Sequence, residues 1–128
     1  MAIELSESQV KQACEEYLQY QMNQEKLWYA RLNAGDFIET RGDTRRRIKG
    51  AGKGTADLIV IQPVNIQTHY KGQARGKAHL TTRVTFVECK SSKGKQSPDQ
   101  VEFEGMITNL HCRYTIVRSA DELIEILK

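Results

Sequence analysis

The chain has 128 residues, of which 39% are hydrophobic and 27% charged, with a formal charge of +3. That balance fits one soluble domain, 1–128, long enough to bury a core. No apolar run approaches the roughly 20 residues that cross a bilayer, and no leader pattern opens the chain, so no membrane association is expected.

A first helix is predicted from Glu7 to Asn23. Ser6 with Gln9 reads as a capping box, and Leu5 with Val10 as its hydrophobic staple. Val10, Cys14, Tyr17, Leu18 and Met22 recur at helical spacing and mark the buried stripe, with Glu7 one turn before Val10 and Glu15 on the opposite, solvated side. Residues 27–32 read as a first strand, ended by Asn33-Ala34-Gly35-Asp36. Residues 37–56 are polar, basic and punctuated by glycine, a loop with a short strand at Phe37-Ile38-Glu39-Thr40.

Asp57-Leu58-Ile59-Val60-Ile61 is a nearly unbroken apolar strand, stopped by Pro63; its continuity predicts burial on both faces at the centre of a sheet. Residues 65–83 are polar and read as an extended hairpin or a mobile arm. Val84-Thr85-Phe86-Val87 is β-branched and aromatic and leads a strand into Glu88-Cys89-Lys90. Ser97 as N-cap, Pro98 at the first position and Gln100 at the third start another helix, with Phe103, Met106, Ile107 and Leu110 as its stripe. Residues 113–117 form a last strand. Ser119 with Glu122 then caps a final helix that carries Leu123, Ile124, Ile126 and Leu127 toward the core. The expected fold is α/β, in the order α-β-β-β-α-β-α around a small mixed sheet.

Cys14, Cys89 and Cys112 are odd in number and lack metal-ligand spacing. They read as small hydrophobes in a reducing, cytoplasmic compartment, and zinc is not expected because adjacent His111 and Cys112 would point apart on a strand. The positive charge is clustered. Arg41, Arg45, Arg46, Arg47, Lys49 and Lys53 crowd one segment, and Lys93 and Lys95 follow Lys90. Such groups suit phosphate contacts, though a solvated loop would look the same.

Gly50-Ala51-Gly52-Lys53-Gly54-Thr55 suggests a phosphate-binding loop at first sight. The full pattern wants a glycine where Arg47 stands, a strand before it and a helix after it, so no nucleotide cofactor is expected. The glycines instead let backbone come close to DNA or to a metal-bound phosphate near Asp57.

On a strand, Glu88 and Lys90 project from one face while Cys89 points from the other. A carboxylate and an ammonium on an apolar strand are either an internal ion pair or part of a site. With Asp57 opposite, two carboxylates can hold a divalent ion beside a cation, an arrangement suited to phosphodiester hydrolysis. Asp57 can also be read as a turn former, Gln100 as a capping residue and Glu7 as a carboxylate favoured at a helix N-terminus.

The ordered set Glu7, Gly54-Thr55-Ala56-Asp57, Glu88-Cys89-Lys90 and Ser97-Pro98-Asp99-Gln100 resembles the PD-(D/E)xK nuclease superfamily, and within it the VRR-NUC (virus-type replication-repair nuclease) domain. Arg31-Leu32-Asn33-Ala34-Gly35 also looks like the family's segment after the first strand. The likeness spans almost the whole chain; it departs at Ala56, where a proline usually precedes the aspartate.

The resemblance implies a restriction-endonuclease-like core and a metal-dependent endonuclease that resembles Holliday-junction resolvases. Asp57, Glu88, Glu7 and the Cys89 carbonyl would hold Mg2+ or Mn2+. Lys90 would orient or help deprotonate the attacking water and stabilise phosphate charge, and Gln100 would position Lys90, the water or the phosphate. It further implies branched DNA as substrate, held by Arg41, Arg45, Arg46, Arg47, Lys49, Lys53, Lys93 and Lys95. A homodimer is expected, and a phage- or mobile-element setting is suggested by the family name. A non-catalytic DNA-binding protein and a sequence-specific restriction-type endonuclease are the alternatives.

Overall fold

Each helix carries its own start signal. Ser6 Oγ accepts the Gln9 N–H while Gln9 Oε1 accepts the Ser6 N–H, and this reciprocal box opens α1 (Glu7–Asn23). Ser97 and Gln100 repeat it at α2 (Pro98–Asn109), with Pro98 supplying a preset φ in the first turn. Ser119 caps α3 (Ala120–Ile126) by accepting the Glu122 N–H. The computed structural model describes residues 4–33, 37–48, 50–68 and 77–128. Lys49, Ala34, Gly35, Asp36 and the centre of the 65–83 segment lie outside them.

The strands are β1 (Trp28–Arg31), β2 (Phe37–Arg41), β3 (Thr44–Ile48), β4 (Leu58–Thr68), β5 (Lys77–Cys89) and β6 (Arg113–Val117). The main sheet has the order β1-β4-β5-β6; β1, β4 and β5 are antiparallel neighbours, while β6 runs parallel to β5. The fold is therefore α/β with a mixed sheet flanked by helices. Side-chain alternation along β5 assigns the layers. Val87 and Cys89 join Leu58, Val60 and Val117 in a core closed by Val10, Cys14 and Leu18 of α1 and Leu123 and Leu127. Phe86 faces the other way and meets Phe103 of α2 edge-on, with centroids 5.4 Å apart.

Several sequence expectations need correction. The order gains two strands, because residues 37–48 form a complete hairpin, β2–β3, where a loop with one short strand was expected. β4 does not stop at Pro63 but continues to Thr68, paired with β5. β1 pairs β4 only as far as Ile61, so Pro63 lies where one flank of the strand is open and its missing N–H is tolerated. The 65–83 segment is an extended hairpin as far as it is described. Along β4, Leu58 and Val60 are fully buried but Ile59 and Ile61 only half-buried, so one face alone is sealed. Of the α2 stripe, Phe103 and Ile107 turn inward while Met106 and Leu110 are exposed, since α2 packs over the outer strand β6. Cys112 precedes β6 and is half-buried.

Candidate metal centre

Strand register builds the site. The pairing of Leu58 with Val87, carried one step further, sets Asp57 against Glu88 at the end of the β4–β5 pair. Glu88, paired with Ile116 in the β5–β6 ladder, is only 2% exposed. Glu7 arrives from the first turn of α1, and one carboxylate oxygen from each of Glu7, Asp57 and Glu88 lies within 4.8 Å of the others. These three residues can hold a metal ion.

The surroundings fix each carboxylate. Asp57 Oδ2 accepts the Cys89 backbone N–H at 2.8 Å, and the Leu32 N–H bonds the Asp57 carbonyl at 2.8 Å. In a strand the N–H and C=O of one residue point to the same flank, so the Cys89 carbonyl also lies toward Asp57. Its thiol points away into the core beside Cys14, as strand alternation predicts. Glu88 Oε1 accepts the Gln100 Nε2–H at 3.0 Å. Gln100 thereby combines two roles, because its Oε1 accepts the Ser97 N–H in the capping box. The capping reading of Gln100 is correct, and its amide reaches Glu88, a partner the sequence reading did not name.

Lys90 lies between two carboxylates, its Nζ 3.5 Å from Glu7 Oε1 and 3.8 Å from Glu88 Oε1, with a side chain 11% exposed. Glu88 Oε2 is buried and has no hydrogen-bond partner among the described residues. An orphaned carboxylate oxygen at such depth is unfavourable unless it is protonated or ligates a cation. Burial, then the field of Asp57, pushes the Glu88 carboxyl up to about 8 despite the opposing pull of Lys90. Carboxylates are hard oxygen donors, which suit a hard cation better than a thiophilic one.

Within the glycine loop, Gly52 faces open space but Gly54 meets protein. Gly54 has φ +80°, and a Cβ there would lie 2.2 Å from the Asp99 carbonyl oxygen at the start of α2. Gly54 thus lets the turn leading to Asp57 pass close to the helix that carries Gln100. Thr55 Oγ1 closes the turn on the Gly52 carbonyl at 2.9 Å.

The basic residues are spread over three places. Arg41, Arg45, Arg46 and Arg47 lie exposed on the β2–β3 hairpin, Lys93 and Lys95 on the loop after Lys90, and Lys53 beside Asp99 and Glu102. Cross-strand register sorts the hairpin arginines: Arg45 and Arg47 share a face with Thr40 and Ile38, whereas Arg41 and Arg46 share the other with Glu39. Arg41 Nε donates to Glu39 Oε1 at 2.9 Å.

Three residues near the site carry roles that the sequence did not reveal. Lys11 Nζ is 3.1 Å from Asp57 Oδ1. Burial opposes its charge, yet the hydrogen bond and field of Asp57 hold the ammonium above the ordinary lysine value. The available signal was its position four residues after Glu7, on the same helix face. Glu15, expected to be merely solvated, accepts from Arg31 of β1. Arg118 donates to the Ser91 and Gly94 carbonyls, bracing the loop that leaves Lys90.

No protein-family model, curated protein or solved structure matches the chain. Among the described residues no helix is long and apolar enough to cross a membrane.

Proposed function

We propose that the chain is a divalent-metal-dependent endodeoxyribonuclease with a PD-(D/E)xK, VRR-NUC-like core, selective for branched DNA such as four-way junctions. The observation that carries this reading is the convergence of Glu7, Asp57 and Glu88, where Glu88 Oε2 is buried and has no hydrogen-bond partner among the described residues. Lys90 and Gln100 stand within reach of the same carboxylates. Together they provide oxygen ligands, a cation and a polar positioning group at one end of a sheet.

The residues fit Mg2+ or Mn2+, held by Glu7, Asp57, Glu88 and the Cys89 carbonyl. When bound, such an ion supplies Lewis acidity and a more acidic water. Lys90, steadied by Glu7, orients the attacking water and meets the charge that grows on the phosphate. Gln100 fixes the rotamer of Glu88 through Oε1 and leaves Oε2 free to ligate. Arg45 and its neighbours on the β2–β3 hairpin, with Lys93 and Lys95, contact DNA phosphates, so recognition depends on shape and salt rather than on base sequence. A two-fold homodimer would present two such sites to opposed strands of a junction.

The test is a panel of four-way junction, flap, splayed-arm and plain duplex DNA with Mg2+ or Mn2+, run beside a sizing measurement. Preferential cutting of the junction by a dimer is expected. Binding without cleavage under every condition would favour a non-catalytic DNA-binding protein. Discrete fragments from plasmid would favour a restriction-type enzyme.

A further inference from the structure

Asp57 has both oxygens engaged before any metal ion is considered: Oδ2 by the Cys89 N–H at 2.8 Å and Oδ1 by Lys11 Nζ at 3.1 Å. Lys11 rises from the same face of α1 as Glu7, one turn later, so the helix delivers a carboxylate and an ammonium to the cluster together. On the other side Lys90 lies between Glu7 and Glu88. The cluster thus holds three carboxylates and two ammoniums, leaving one formal negative charge. One divalent ion would turn that into a single positive charge; a second would leave three positive charges around a largely buried carboxylate. Like charges this close repel strongly away from bulk water.

We propose that Lys11 is a built-in second cation of the carboxylate cluster, standing on Asp57 Oδ1 where a second metal ion would otherwise bind, so that each chain takes one divalent ion. The inference rests on the metal-centre reading above. Lys11 acts through Asp57 and is a positioning residue. It also lines a groove of about 590 Å³ between α1 and β1, together with Gln12, Tyr29 and Arg31. Its ammonium stands where the groove reaches Asp57, and Glu15 and Glu16 also line the groove wall.

Mn2+ titration of the folded protein by calorimetry, without DNA, tests this independently of cleavage. Wild type should take one Mn2+ per chain. Lys11→Met keeps the apolar stem and removes the charge; it should bind Mn2+ on the order of tenfold tighter, or gain a second, weaker Mn2+. Lys11→Arg restores a cation and should return to wild-type affinity and stoichiometry, which a purely structural role for the lysine would not require. If Lys11→Met fails to fold, Lys11→Gln carries the same expectation. Two Mn2+ per wild-type chain, or unchanged or weaker binding in the charge-removing variants, would overturn the role of Lys11 while leaving the metal centre standing. No Mn2+ bound by wild type would overturn both.

Discussion

Gln100 donates to Glu88 Oε1 at 3.0 Å while its own amide oxygen holds the Ser97 N–H, so one side chain both starts α2 and orients the deepest carboxylate. The two roles separate by substitution. Gln100→Ala loses both and should cost about 1 kcal/mol of stability, the usual worth of a capping interaction. Gln100→Glu keeps the capping oxygen but sets a second carboxylate against Glu88. Thermal melts should place it near wild type at pH 7, whereas Mn2+ affinity measured by calorimetry should fall.

Glu88 makes stability depend on pH in an unusual direction. Its carboxyl stands near 8 against an ordinary 4.5, so between those values the folded chain holds a proton that the unfolded chain has released. The stabilising contribution is full below about 4.5 and is lost as pH rises through about 8. Without metal, urea denaturation from pH 5 to pH 8 should show a decline reaching on the order of a few kcal/mol, and Glu88→Gln should flatten it. Metal binding near pH 7 should release a proton, because the ligand must ionise.

Gly54 and Gly52 both have positive φ but different neighbours. A side chain at Gly52 would meet nothing within 4 Å, whereas one at Gly54 would strike the Asp99 backbone. Gly52→Ala should therefore lose only the backbone contribution, about 1 kcal/mol. Gly54→Ala should lose at least about 2 kcal/mol more, because backbone atoms of α2 must shift. Denaturant unfolding of the two variants side by side measures the difference.

The hairpin arginines should not be equivalent toward DNA. Arg41 is paired with Glu39, while Arg45 lies on the face whose residues, Ile38, Thr40, Arg45 and Arg47, include no acid. Changing Arg45, Arg46 and Arg47 together to Ala should weaken junction binding and reduce its salt slope, by about one unit for each phosphate no longer neutralised. Arg41→Ala should do less. Unaltered affinity and slope in the triple variant would remove the hairpin from the interface.

The parts of the site legible in the sequence are those governed by local periodicity. Strand alternation alone puts Glu88 and Lys90 on one face and Cys89 on the other, and the Ser-x-x-Gln boxes mark the starts of α1 and α2. Lys11 was legible only in part: its i+4 spacing places it on the face of Glu7, but nothing in the sequence says which strand end that face will reach. Pro63 misled for a related reason: whether proline ends a strand depends on how far the neighbouring β1 extends, which is set by tertiary pairing. The exposure of Met106 and Leu110 likewise follows from where α2 sits on the sheet, not from its apolar spacing.

Metal-dependent catalysis at this site is read out by single-turnover cleavage of a four-way junction by wild type, Asp57→Asn and Lys90→Ala, each with Mn2+ and with chelator. Wild type should cut only with the ion, and both variants should lose about a hundredfold or more in rate. Lys90→Ala should still bind Mn2+ in calorimetry. Cutting that persists in chelator, or wild-type rates from Asp57→Asn, would rule out a metal-dependent nuclease centre at Asp57.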